Sequence, residues 1–425
     1  MLKDKTILAD GFELDGGEGI YRPNNNVIGV GISGGGKSLS LAYSNMLHTE
    51  ESSVIATFGK KYEAMKMADY YKTKGYKVQI CDLDDPYSGN IFFDPLQYIE
   101  SFDDITATSK KIVYSTIQNT KDDYWNLKAV ALSDSLIEGV IRTVDDSKMI
   151  DVLDMFDELT CSEDGTGMSE SVIDAFRTLK EYDAHCGAVR GFLSFYNLNR
   201  RTEKTGACII DTLAAAYDAV FPESVRKALR EKETIDFKRL AQEKIAVFII
   251  CSPVKTSLYH FANLIFDTAI KVLVSYAQSF PDGRLPRDVR MFFDDFGCTA
   301  PIQSFPEYIS IFRSAGISCM LLVQSESMLQ SVYGQEKATT IINNCASYVY
   351  FPGGMDIQTC KNVSQRMNMP FEDVMSSPVG KVFVMSSGCK PIVKNRYNIL
   401  EDLNYKKMMG TVSYTHLTLP TIRLV

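Results

Sequence analysis

Eight consecutive residues constrain this chain most: Gly31-Ile32-Ser33-Gly34-Gly35-Gly36-Lys37-Ser38. They match GxxxxGK[ST], the pattern of a phosphate-binding loop. Val27-Ile28-Gly29-Val30 before them is a short apolar run of buried-strand type, and Leu39, Leu41 and Ala42 after them begin a helical pattern. The loop therefore sits between a strand and a helix, the context that the motif requires. Its glycines, Gly31, Gly34, Gly35 and Gly36, together with Ser33, let consecutive backbone N–H groups turn inward and, with the helix N-terminus, form a cradle for phosphate. Lys37 would reach the β- and γ-phosphates of ATP, and the Ser38 hydroxyl would hold Mg²⁺.

Other classes are excluded by the bulk of the chain. Its 425 residues suffice for one large domain or for two to three ordinary ones. A net charge of −8 argues against a generally basic surface that coats nucleic acid, though not against a local basic stripe. Ten scattered cysteines without a CxxC pair read as reduced thiols of a cytosolic protein, and four dispersed histidines offer no His-built metal site. No run reaches the roughly 18 apolar residues of a membrane span. The most apolar helical stretch, residues 258–274, is broken by His260, Asn263, Asp267 and Lys271 and reads as a core helix. No signal peptide opens the chain.

Along the chain, residues 1–22 are polar with Gly and Asp turns and are expected to cap a sheet edge. Residues 53–56 read as a strand, 62–73 as a helix stopped by Gly75, and 76–81 as a third strand. Strand–helix–strand order with short loops implies an α/β fold with a mostly parallel central sheet. Between about residues 103 and 201 the pattern is helical. Ala129, Leu132, Leu136, Ile137, Val140 and Ile141 share one face, as do Val152, Leu153, Phe156 and Leu159, and Val172, Ile173, Phe176 and Leu179. Trp125 is expected to be a packing anchor of this insertion. The α/β pattern returns with residues 245–250, an unbroken apolar run expected of a strand covered on both faces. The expected division is 1–102 for the first part of the nucleotide-binding domain, 103–201 for an all-helical insertion and 202–410 for the second part.

Val289-Arg290-Met291-Phe292-Phe293 then leads into Asp294-Asp295. An apolar strand ending in acidic residues is the partner that a phosphate loop needs. Asp294 would bind Mg²⁺, and Asp295 would be the general base that orients the attacking water. Residues 305–314 read as a helix with Arg313 in its last turn and Gly316 as its C′ residue. Residues 318–323 form another apolar strand, ending at Gln324 on the side where α/β ligands bind. Gln324 would sense the γ-phosphate. Arg313 would be an arginine finger acting across a subunit interface, although a helix-end arginine is more often a dipole partner or a solvated charge.

The combination resembles a known family. NNNVIGVGISGGGKS, GYKVQICDLDDPYSGNIFFDPLQYI, RMFFDDFG, IFRSAGISCMLLVQSESML and INNCASYVYFPGG stand in the order found in the TraG/TraD/TrwB-type coupling proteins of conjugative type IV secretion, relatives of FtsK and RecA-like motors. The resemblance runs from about residue 20 to 400. It implies a RecA-like P-loop ATPase with an all-helical insertion. Gly36, Lys37 and Ser38 would bind phosphate and Mg²⁺, Asp294 would be the metal-side carboxylate, and Asp295, Arg313 and Gln324 would stand at the catalytic, finger and sensor positions. It further implies a hexameric ring with ATP between subunits. The ring would pump relaxase-bound, single-stranded DNA toward a secretion channel of ATPases and membrane proteins, from the cytoplasmic face of the membrane.

Three departures from the family stand out. Asp295 occupies a position where the family has Glu, which draws the carboxylate back by about 1.5 Å. The acidic turn after the second strand is degenerate, as Thr57-Phe58-Gly59-Lys60. The family's N-terminal membrane anchor is not seen, which implies docking on a membrane partner or a truncated sequence. Residues 411–425 continue no pattern and resemble a tail translated from sequencing-adapter bases, so they are left out of the fold reading as non-native. Three alternatives remain open: a channel-assembly ATPase that handles protein, an FtsK-like double-stranded DNA translocase, and a nucleotide-binding subunit that no longer hydrolyses.

Overall fold

In the computed structural model, which describes residues 4–15, 23–115, 123–160, 168–297 and 301–410, a hairpin of β1 (Thr6–Ala9) and β2 (Phe12–Leu14) precedes the main sheet. That sheet comprises β3 (Val27–Gly31), β4 (Ser53–Phe58), β5 (Lys77–Asp82), β6 (Ile245–Ile250), β7 (Val289–Phe293), β8 (Ile317–Val323), β9 (Ser347–Phe351), β10 (Lys381–Ser386) and β11 (Ile392–Asn395). Its spatial order is β11-β10-β9-β3-β8-β7-β4-β6-β5. The run from β9 to β5 is parallel throughout, and β10 pairs antiparallel with both of its neighbours.

The strands explain their own composition. Both faces of a parallel sheet are covered, so β6, β7, β8 and β9 are buried at every residue; β6 is a continuous apolar run, and the other three are apolar but for Arg290, Ser318 and Ser347. Alternate side chains feed two separate cores. Ile28, Val30, Ile55, Val247, Met291, Phe293 and Leu321 face one, and Val27, Val54, Ala56, Phe248, Phe292, Met320 and Leu322 face the other. Lys394 and Asn395 are exposed on the edge strand β11, which discourages pairing with another chain. The N-terminal hairpin makes one main-chain bond to that edge, from Asp10 N–H to the Asn395 carbonyl at 3.0 Å, while Asn45 clips β1 through the N–H and carbonyl of Ile7.

After the phosphate loop come α1 (Ser44–Leu47) and, beyond β4, α2 (Lys61–Thr73), which ends before Gly75 at φ +79°. The helical insertion contains α3 (Phe102–Val113), α4 (Tyr124–Thr143), α5 (Met149–Thr160), α6 (Glu170–Tyr182), α7 (Gly187–Arg201), α8 (Glu203–Val220) and α9 (Glu223–Glu231). The apolar stripes read from the sequence are buried, except that Ile141 is 38% exposed. Phe176 and Phe192 stack with ring centroids 3.9 Å apart. Trp125 is half-buried, packed against the core and edge-on to Tyr124.

The expected boundary at residue 201 falls inside this helical run. Only Thr202 separates α7 from α8, and α8 packs on α4 and α7. The helices on either side of this break share α4 as a partner, and α8 adds contacts to α3 and to the core helix that follows β6. The sheet resumes only at β6, followed by α10 (Leu258–Ala277), which is buried along most of its length. The helix expected over residues 305–314 is two short ones, α11 (Phe305–Tyr308) and α12 (Phe312–Ala315). The break leaves Phe305, Ile309 and Phe312 all buried. Gly316, at φ +83°, closes α12 as expected. No helix among the described residues is long and apolar enough to cross a membrane. Residues 411–425 lie outside the described residues.

Candidate nucleotide site

β3 is buried at all five residues and hands the chain to the loop at the C-terminal edge of the sheet. Two glycines are required there for different reasons. A Cβ at Gly31 would stand 2.6 Å from the Phe351 carbonyl oxygen on β9, a backbone atom that cannot move aside. Gly36 has φ +92°, where L side chains are strained. Ser33 and Gly34 form the exposed tip of the loop, and Gly35 is buried behind them. The first helical turn, Ser38–Tyr43, is a π-helix, a form that concentrates at functional sites.

The structure brings the loop and the acidic strand end together across 256 residues of sequence. Ser38 Oγ donates to the Asp294 carboxylate, 2.9 Å from Oδ1 and 3.0 Å from Oδ2. Burial, and then the charge of Asp295, hold the Asp294 carboxyl above its ordinary range, while the Ser38 hydrogen bond and Lys37 pull the other way. Lys37 is 6% exposed, and its Nζ donates to the Gly31 carbonyl at 2.6 Å and the Ile32 carbonyl at 2.9 Å. The ammonium is thus stored on the loop's own carbonyls, inside the cradle.

This donor set fits Mg²⁺. It offers a hydroxyl and a carboxylate, both hard oxygen ligands, and Mg²⁺ keeps several waters and takes its remaining ligands from substrate phosphates. A cation at Asp294 would also offset the cost of ionising a buried carboxylate beside Asp295.

Gln324, one residue beyond β8, reaches Asp295: its Nε2 lies 3.4 Å from Oδ1. Asp295 has φ +54°, in the left-handed region that non-glycine residues seldom adopt. Arg313 is not part of this cluster. It is exposed on α12, just before β8 begins, and its carbonyl accepts from Arg284 Nη1 at 3.0 Å. Because β8 runs parallel to β3, Arg313 lies at the opposite edge of the sheet, about 20 Å from the loop by the length of a seven-residue strand.

Sequence reasoning missed two contributors. Thr57, read as part of a degenerate turn, accepts the Asp294 N–H on its Oγ1 at 2.8 Å and so fixes the backbone that carries the carboxylate. Adjacent pairing of β4 and β7 creates this contact, and nothing local in the sequence signals it. Arg396 places its guanidinium against the loop, with Nη1 3.4 Å from the Gly35 carbonyl oxygen. Asn24 and Asn26 show a related, structural use of a polar run. They clip the entry of β3 to the Asn344 carbonyl and to the N–H groups of Ala346 and Cys319.

Comparison with known proteins places this geometry. The chain is similar in fold to the bacterial conjugative coupling protein TrwBdeltaN70 in a sulphate complex, with 15% identity, a TM-score of 0.65 and coverage of 88% of this chain and 86% of that one. The plasmid coupling protein TrwB in complex with ADP and Mg²⁺ matches at 14% identity and TM-score 0.64, over 88% of this chain and 85% of that one. VirB4 of Thermoanaerobacter pseudethanolicus matches at 12% identity and TM-score 0.51, over 94% of this chain and 96% of that one. At these identities the likeness is one of fold, here the RecA-like α/β fold with its mostly parallel sheet. No curated protein sequence matches the chain. The family described as "Type IV secretory system Conjugative DNA transfer" matches residues 2–374, nearly the whole chain, and to that family of coupling proteins this chain belongs.

Proposed function

We propose that the chain is an ATPase that drives DNA through a type IV secretion apparatus during conjugative transfer. The observation that carries this reading is the direct bond between Ser38 and Asp294, which joins the phosphate loop to an acidic strand end as ATP·Mg²⁺ hydrolysis requires. Gly31, Ser33, Gly34, Gly35 and Gly36 line the cradle with backbone N–H groups, and Lys37 moves from the loop carbonyls to the β- and γ-phosphates. Ser38 and Asp294 hold Mg²⁺. Asp295 accepts a proton from the attacking water, and Gln324, at hydrogen-bond range of Asp295, orients the same water.

Arg313 serves a neighbouring subunit. Its place at the far edge of the sheet leaves it unable to reach its own loop, which is the arrangement of a finger supplied in trans to a homo-hexamer. The driven substrate is single-stranded DNA bound to a relaxase, and the protein works at the cytoplasmic face of the membrane beside the channel's ATPases and membrane proteins. Thr57 is a positioning residue that acts through Asp294.

The test is ATP turnover with and without single-stranded DNA, across salt concentrations. Wild-type turnover should rise with DNA, and the stimulation should fall steeply with salt because the contacts are to phosphates. Lys37→Ala should abolish turnover. Unchanged turnover in that variant would remove the phosphate-loop reading. Turnover that ignores both single- and double-stranded DNA at low salt would favour a secretion ATPase that handles protein.

A further inference from the structure

Arg396 stands immediately after β11, at the end of the sheet that carries the phosphate loop. β11 is antiparallel to β10 and β10 to β9, so β11 runs in the direction of β3 and delivers its C-terminal end beside the loop. The position is built rather than incidental. The Arg396 N–H donates to the Gly380 carbonyl at 2.9 Å, the Tyr397 hydroxyl donates to Asp402 at 2.5 Å, and Ile399 is buried in the core. From this anchored backbone the half-buried side chain reaches across the loop. A Cβ on Gly36 would stand 2.6 Å from Nη1 and 3.6 Å from Ser40 Oγ.

The contact with the Gly35 carbonyl at 3.4 Å is long and uses one of the five donors of a guanidinium. Among the described residues no carboxylate forms an ion pair with Arg396. A cation held at the rim of a backbone N–H cradle, with donors to spare, has the chemistry of an anion contact, and arginine matches phosphate through paired donors. We infer that Arg396 binds phosphate oxygens of the nucleotide held by its own chain's loop, at the Gly36–Ser40 rim. It is a second cation in cis, beside Lys37 and separate from the trans role given to Arg313. The inference rests on the ATPase reading above.

The experiment is calorimetric titration of the full chain with Mg·ADP at two salt concentrations, for wild type, Arg396→Gln and Arg396→Lys, with thermal melts of each unliganded protein. Arg396→Gln should weaken Mg·ADP binding about tenfold or more. Its affinity should fall less steeply with salt, because one charge contact is gone. Arg396→Lys keeps the charge but loses the paired donors, so its loss should be smaller, about two- to fivefold, and unliganded melting points should agree within about a degree. Unchanged affinity in the Gln variant overturns the inference. So does an equal loss in both variants accompanied by a lower unliganded melting point, which would make Arg396 a structural clip on Gly35. Should the Gln variant not fold, a folded Lys variant that fails to bind overturns it, and one that binds with the wild-type salt slope supports it. A wild-type chain that binds no nucleotide removes the ATPase reading first, and a failure confined to the variants leaves that reading standing.

Discussion

Asp295→Glu places the acid that the family resemblance implies at this position, yet under the ATPase proposal it should slow turnover. Asp295 sits at φ +54°, and aspartate tolerates this conformation because its short polar side chain bonds locally. Glutamate lacks that compensation, so the substitution should cost about 1 kcal/mol of stability. The side chain also gains a methylene, which carries the carboxylate outward by about 1.5 Å. Gln324 Nε2 is already 3.4 Å from Oδ1, so the longer acid crowds the amide or swings away from it. A misplacement near 1 Å costs about a hundredfold in rate, so kcat should fall by about 10- to 100-fold, or roughly 1.4–2.7 kcal/mol of activation free energy. ATP binding should hold, because the loop and the Ser38–Asp294 bond are untouched. Asp295→Asn is the control. It keeps the left-handed preference and the side-chain length, so stability should stay within about 0.5 kcal/mol while turnover drops for lack of a base. The assays are kcat of the assembled protein, affinity for a non-hydrolysable ATP analogue, and denaturant melts. A Glu variant that turns over faster than wild type would refute the argument, since the left-handed backbone would then not be serving the shorter acid.

Glu326, two residues beyond Gln324 and 1% exposed, accepts hydrogen bonds from the Tyr348 hydroxyl at 2.7 Å and Asn362 Nδ2 at 2.6 Å and pairs with Arg366. Glu326→Leu should cost about 3 kcal/mol by leaving a buried hydroxyl and a guanidinium without their acceptor, and Glu326→Leu/Arg366→Leu should recover part of it; chemical denaturation checks both, and a loss below about 0.5 kcal/mol in the single variant would contradict the network. Burial pushes the Asp94 carboxyl up to about 6, against the N–H donations of Leu96 and Met149. Its folded pKa lies above the unfolded 3.8, so its contribution is fully present below pH 3.8 and is lost as pH rises through 6. The stability of Asp94→Asn minus that of wild type should therefore grow by up to roughly 3 kcal/mol between pH 3.5 and 7, and a difference that is flat with pH would show the carboxylate to be solvated.

The sequence determined what lies within a few residues of itself. The phosphate loop, the apolar strands and the Asp294-Asp295 strand end were legible because each is a contiguous pattern whose chemistry needs adjacent residues or a fixed period. The α4, α5 and α6 stripes were legible for the same reason, since helical spacing is local. The helices run on past the expected boundary at residue 201, through α8 and α9, because a one-residue helix break looks alike in sequence whether or not the helical run ends there.

What only the tertiary structure decided was strand order, and with it the neighbours of every site residue. β8 wedges between β3 and β7, which sets Gln324 beside Asp295 and carries Arg313 to the opposite edge. β4 settles against β7, which turns Thr57 from a loop residue into the support of Asp294. β11 returns along the far edge and sets Arg396 against a loop 361 residues earlier. These contacts depend on which buried strand pairs with which. Apolar runs that are all covered on both faces are nearly interchangeable in sequence, and the choice among them is made by the packing of the whole sheet.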